Sequence, residues 1–103
     1  MDLVEQIEVY IHDAELLSYT IQKSNFMIDR LEGNDELQQH YIEQLKPTVD
    51  EYKQTIKALE FLFKEYFNWE KKNKKTRNLR YRRLYKMVLK DLVKPTPPTS
   101  TQS

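Results

Sequence analysis

The sequence predicts an all-α protein: an antiparallel, coiled-coil-like hairpin of two long helices, a shorter basic helix after it, and a disordered Pro/Thr/Ser tail. Three observations carry this expectation. The 103 residues hold one glycine and four prolines, three of them beyond Lys94, so the turn residues that hairpins of strands need are missing from most of the chain. Glu, Lys, Gln and Leu, all good helix formers, are abundant. Apolar residues recur at alternating spacings of three and four over two long stretches, the period of a helix that buries one stripe. A chain this short forms a single domain with a modest core, which gains stability from self-association.

The first helix opens at Asp2-Leu3-Val4-Glu5, a capping box with an acceptor three residues before a glutamate. Its seam is Leu3, Ile7, Tyr10, Ala14, Leu17, Ile21, Ser24, Ile28 and Leu31, widened by Val4, Ile11 and Leu16. Gly33, the natural left-handed residue after a helix, is expected to stop it. Asp35 reads as the next cap, with Gln38 in the reciprocal position. So short a connection turns the second helix back along the first.

The second seam is Ile42, Leu45, Val49, Tyr52, Ile56, Leu59, Phe63 and Tyr66. Pro47 falls inside it, and the following Thr48-Val49-Asp50-Glu51 has the form of a cap that could restart the helix. The apolar phase runs unbroken across the proline, which favours one continuous, kinked helix over two. An aromatic cluster over 61–69 reads as core, with Trp69 its most exposed member. The run 71–76 breaks the pattern as a loop or a solvated helix extension. From about Arg77 to Val93 a third helix places Tyr81, Leu84, Tyr85, Val88 and Leu92 on one face. Arg82, Arg83, Lys86, Lys90 and Lys94 fall on the opposite face.

Charge divides the same chain. Residues 1–70, the expected hairpin, carry fifteen acids and six Lys/Arg; residues 71–103 carry eleven Lys/Arg and one acid, Asp91. The expected organisation is an acidic body over 1–70, a basic amphipathic helix over 71–94 packed on it, and the tail over 95–103. Such asymmetry is the usual footprint of a polyanion or an acidic partner. The candidate binding residues are Lys71, Lys72, Lys74, Lys75, Arg77, Arg80, Arg82, Arg83, Lys86 and Lys90. Phosphate contact needs positive charge, and arginine adds planar bidentate geometry. The bland alternative is a docked helix whose cations simply face water.

Other classes lose ground on composition. With no cysteine there are no disulfides, thiolate metal sites or cysteine nucleophiles. The acidic N-terminus is unlike a signal peptide, and no apolar run approaches a membrane span, so a cytoplasmic protein is expected. Glu8-His12 and Glu36-His40 are i, i+4 pairs off the apolar seams and read as solvated ion pairs, not metal ligands. No phosphate loop, HExxH or GxSxG is present. The expectation is a protein without catalysis and without a cofactor. Two alanines, one glycine, and twelve lysines against five arginines fit an AT-rich genome such as that of a low-GC bacterium or its phage.

The stretch Gln54-Thr55-Ile56-Lys57-Ala58-Leu59-Glu60-Phe61-Leu62, with Leu79-Arg80-Tyr81 after it, resembles the region before the DNA-reading motif in RinA-type phage late-gene activators. The resemblance spans about thirty residues. In that family a helix-turn-helix follows, and the dozen or so helical residues left before Pro95 are too few for one, so the family is not assigned. The helical format also resembles secreted WXG-type proteins, but their Trp-x-Gly turn is absent, the turn here being Gly33-Asn34-Asp35.

The functional expectation is a small nucleic-acid-associated regulator or accessory factor, self-associating as a dimer or higher helical bundle and binding DNA or RNA phosphates through its basic helix. The alternative is a protein–protein interaction module, an adaptor or inhibitor. A membrane surface ranks last, because the apolar face of the third helix has no tryptophan and is needed for the core.

Overall fold

The computed structural model describes residues 2–93 as three helices with no strand among them: α1 (Leu3–Arg30), α2 (Asp35–Lys72) and α3 (Leu79–Val93). The side chains of Leu92 and Lys94 and the tail over 95–103, all of which entered the sequence reading, lie outside what is described. No helix among the described residues is long and apolar enough to cross a membrane.

α1 starts as its sequence requires. The Asp2 carboxylate accepts the Glu5 N–H at 2.8 Å, and the Glu5 carboxylate accepts the Asp2 N–H at 3.1 Å. Two of the four orphan donors of a helix start are thereby satisfied. The helix gives way to a turn at Leu31, and Gly33 takes a φ of 99°, a conformation that a Cβ would strain.

The cap of α2 is one residue earlier than expected. Asn34, not Asp35, accepts the Leu37 N–H, at 3.2 Å. Gln38 does not reach back to the cap; its side-chain amide donates to the Ile28 carbonyl at 2.9 Å. That carbonyl, in the last turn of α1, also accepts the Leu31 N–H at 3.0 Å. One polar contact thus fastens the end of α1 to the start of α2.

α2 is continuous through Pro47. The proline sits on the exposed side of the helix, while Leu45 and Val49 on either side of it stay buried. Unbroken burial across the proline favours the continuous helix despite the lost hydrogen bond.

α1 and α2 pack together along both seams. Ile21 and Ile28 bury against Leu45 and Val49; Ile7, Ile11 and Ala14 bury with Ile56, Leu59 and Phe63. Ile11, which the sequence left beside the seam, is therefore core, while Val4 and Leu16 remain exposed. α3 closes over the second group, adding Tyr81 and Val88 to it. The rings of Tyr66 and Tyr81 meet edge-on at 5.0 Å, Phe63 and Tyr81 at 5.3 Å, and Phe67 and Tyr85 edge-on at 5.4 Å, distances at which aromatic pairs attract beyond their area. Phe61 at 62 % is more exposed than Trp69 at 43 %, because Phe61 lies off the 3-4 seam whereas Trp69 leans on the Tyr66 ring at 5.5 Å.

Candidate functional site

α3 is positioned by apolar packing and by three acids. The first is Glu70, 3 % exposed at the end of α2. Its carboxylate accepts the Asn78 backbone N–H at 2.8 Å and the Arg82 Nη2 at 2.5 Å. Asn78 in turn caps α3, its side-chain oxygen accepting the Tyr81 N–H at 3.0 Å. The Arg82 guanidinium also lies over the Phe67 ring at 4.4 Å. The link before α3 is as constrained as its start: Asn73 donates from backbone and side chain to the Trp69 carbonyl, and Lys74 takes a φ of 51°.

The second acid is Glu8 on α1. Arg80 grips it with both terminal guanidinium nitrogens, at 2.8 and 3.4 Å, and the Tyr81 hydroxyl donates to it at 2.6 Å. These contacts, Arg80 foremost and Tyr81 next, hold the Glu8 carboxyl below the usual glutamate range. Glu8, expected to face His12 as a solvated pair, is thus turned to α3. The third acid is Asp91, which accepts the Tyr52 hydroxyl at 2.6 Å. Burial first, and the adjacent carboxylate second, push the Tyr52 and Tyr81 phenols well above their ordinary value.

The sequence-predicted cations therefore divide. Arg80, still exposed, and Arg82, partly buried, are each engaged by an acid of the body. A helical wheel assigns Arg82 to solvent from backbone angle alone, but an arginine stem is long enough to reach around the helix to a neighbouring carboxylate. Lys71 and Lys72 end α2, Lys74, Lys75 and Arg77 occupy the link, and Arg83, Lys86 and Lys90 lie on α3; all eight are exposed. Among the described residues none of the eight makes an ion pair.

Glu70 carried a signal in the sequence. It occupies the next 3-4 position after Ile56, Leu59, Phe63 and Tyr66, so the seam itself puts a carboxylate in the core, where it requires a partner. Glu8 carried none, because its role depends on where α3 lands.

α1 and α3 stand apart although Glu8 bridges them. Between them, floored by α2, lies an open groove of about 280 Å³ walled by Ile11 and Ala14, Ile56 and Leu59, and Leu84 and Val88. Glu15 and Tyr19 of α1 and Met87 of α3 also line it. Tyr19 and Met87 are each more than half exposed. Lys23 lies over the Tyr19 ring at 5.8 Å, and Arg30 over the Phe26 ring at 5.2 Å.

Among the described residues no group of three or more His, Asp and Glu is arranged to hold a metal ion. Comparison of the chain with protein-family models, curated proteins and solved structures found no match.

Proposed function

We propose that this is a non-enzymatic, cytoplasmic nucleic-acid-associated protein, a regulator or accessory factor of the kind a phage or mobile element encodes, which binds phosphates through the basic surface formed by the end of α2, the link and α3. The single observation that supports this most is the division of the cations: eight exposed and unpaired positive charges between Lys71 and Lys90, on a body of opposite charge. A cluster of that size sets up a field that favours polyanions, and each phosphate contact releases counterions. The constrained link and the clasped α3 fix the backbone that carries the charges, so binding orders their side chains but not the chain itself. The acidic body, an antiparallel hairpin in this reading, serves as scaffold and self-association element.

A second reading, a protein-interaction module, draws on the apolar groove between α1 and α3. Titration of labelled DNA and RNA at low and moderate salt separates the two. On the first reading the parent binds at low salt and loses affinity steeply as salt rises, with a logarithmic slope of about −0.9 per duplex phosphate contact. The triple variant Arg83→Glu, Lys86→Glu, Lys90→Glu keeps its helical spectrum and loses the binding. Absence of binding by the parent at low salt removes the first reading and leaves the second.

A further inference from the structure

We infer that the groove between α1 and α3 is the seat of a symmetric dimer, in which each copy's α1 lip lies over its partner's α3 lip. This inference rests on the self-association named in the phosphate-binding reading and shares Arg83 and Lys90 with its phosphate surface, but its test reads the mass of the complex in the absence of nucleic acid.

The groove is unfilled by its own chain. Ile11, Leu59 and Val88 form its floor and walls, while Tyr19 and Met87, at 62 % and 61 % exposed, stand at the two lips. Leu16 and Phe26 extend the exposed apolar surface along α1, Phe26 lying two helical turns beyond Tyr19 on the same side.

Charge identifies the occupant and selects the symmetry. With Glu8, Arg80 and Arg82 engaged inside the chain, α1 keeps a net charge of −2 and α3 a net charge of +2. On α1, Glu15 lies four residues before Tyr19; on α3, Arg83 and Lys90 flank Met87 at i−4 and i+3, the positions that neighbour it on a helix surface. Two copies can face each other across the groove in two ways. A two-fold axis perpendicular to the helices sets α1 over α1 and α3 over α3, so like charges meet. An axis running along the groove sets α1 over the partner's α3, and Glu15 faces Arg83 or Lys90. Electrostatic complementarity of this kind fixes register and suppresses the wrong pairing. In the favoured arrangement Tyr19 of each copy covers the groove of the other.

Sedimentation equilibrium on the full chain, at high micromolar concentration and low salt, tests this. The parent is expected at twice the chain mass of 12.5 kDa. Tyr19→Glu and Met87→Glu each weaken the dimer about tenfold or more. Phe61→Ser, an equally exposed position away from the groove, leaves it unchanged. Glu15→Lys alone and Lys90→Glu alone weaken the dimer, and an equimolar mixture of the two variants restores it, because the mixed pair has both contacts of opposite sign. Circular dichroism of each variant confirms that the helices persist; a variant that loses helix is replaced by Tyr19→Ser or Met87→Gln. A monomeric parent overturns the inference. So does a dimer broken by Phe61→Ser but not by Tyr19→Glu, and so does a pair of charge variants whose mixture is no tighter than either alone.

Discussion

Where α3 lies on the α1–α2 body, ten residues are buried as one cluster, from Ile7 to Val88, with six further aromatic rings or aliphatic chains packed close against them. Beyond α3 the same two helices bury four: Ile21, Ile28, Leu45 and Val49. The sequence seams are equally regular at both ends, so spacing alone does not account for the difference. A two-helix contact shields one stripe on each helix, whereas a third helix shields the flanks as well. That is how Ile11 becomes core at one end while Phe26 and Met27 stay exposed at the other.

Truncations sharpen the contrast most. Phe63→Ala, at a fully buried site among three aromatic rings, is expected to cost about 3–5 kcal/mol. Ile21→Ala, in the two-helix end, is expected near the lower part of its range, about 2 kcal/mol, because a thinner wall relaxes more readily into the space. Urea denaturation of both variants measures the two values; equal losses would erase the distinction between the ends.

The next largest effect concerns two neighbouring arginines. Arg82→Glu places a second carboxylate beside Glu70 and leaves that buried group without its cation, a loss of about 3 kcal/mol for a pair of this kind. Arg83→Glu, one residue on and exposed, is expected to change stability by less than about 0.5 kcal/mol. Amide hydrogen exchange in α3 gives the local readout: protection collapses in the first variant and persists in the second.

The smallest effect is a pH response confined to the three-helix end. Tyr52 and Tyr81 have phenols raised above the ordinary value of 10.0. A raised value means that the unfolded chain ionises first as pH climbs. Their contribution is complete below pH 10 and is lost as pH rises through the folded-state values. Thermal melts from pH 9 upward are expected to fall more steeply for the parent than for the Tyr52→Phe, Tyr81→Phe double variant. At the acid end Glu8, held low by Arg80 and Tyr81, contributes above its unfolded value and loses that contribution as pH falls through its folded value.

Much of this was legible in the residues. The seam positions Ile7, Ala14, Ile21 and Ile28 on α1, and Leu45, Val49, Ile56, Leu59, Phe63 and Tyr66 on α2, are buried where the 3-4 spacing puts them. The Asp2–Glu5 box and the Gly33 turn are equally local, since each is settled within four residues. What the sequence hid were contacts made by long polar side chains between elements. Glu8 and Arg80 lie 72 positions apart, and no local pattern joins them. Local spacing assigns Gln38 to its own helix, yet its amide reaches the Ile28 carbonyl at the end of α1. The candidate cations were found as a group, but their division into engaged and free required the position of α3.

The clasps on α3 differ greatly in how much chain they close. Glu70 to Asn78 spans eight positions and Glu8 to Arg80 spans 72. The entropy of closing a loop rises with its length, so the Glu70 clasp closes at less cost than the Glu8 clasp, which needs all three helices in place. The Gln38 to Ile28 contact spans only ten positions, so the α1–α2 turn and the α2–α3 link are both local closures, and Glu8 is the contact that joins them. Read in reverse, loss of the Glu8 contacts parts α1 from α3, with α3 still carried on α2 by Glu70.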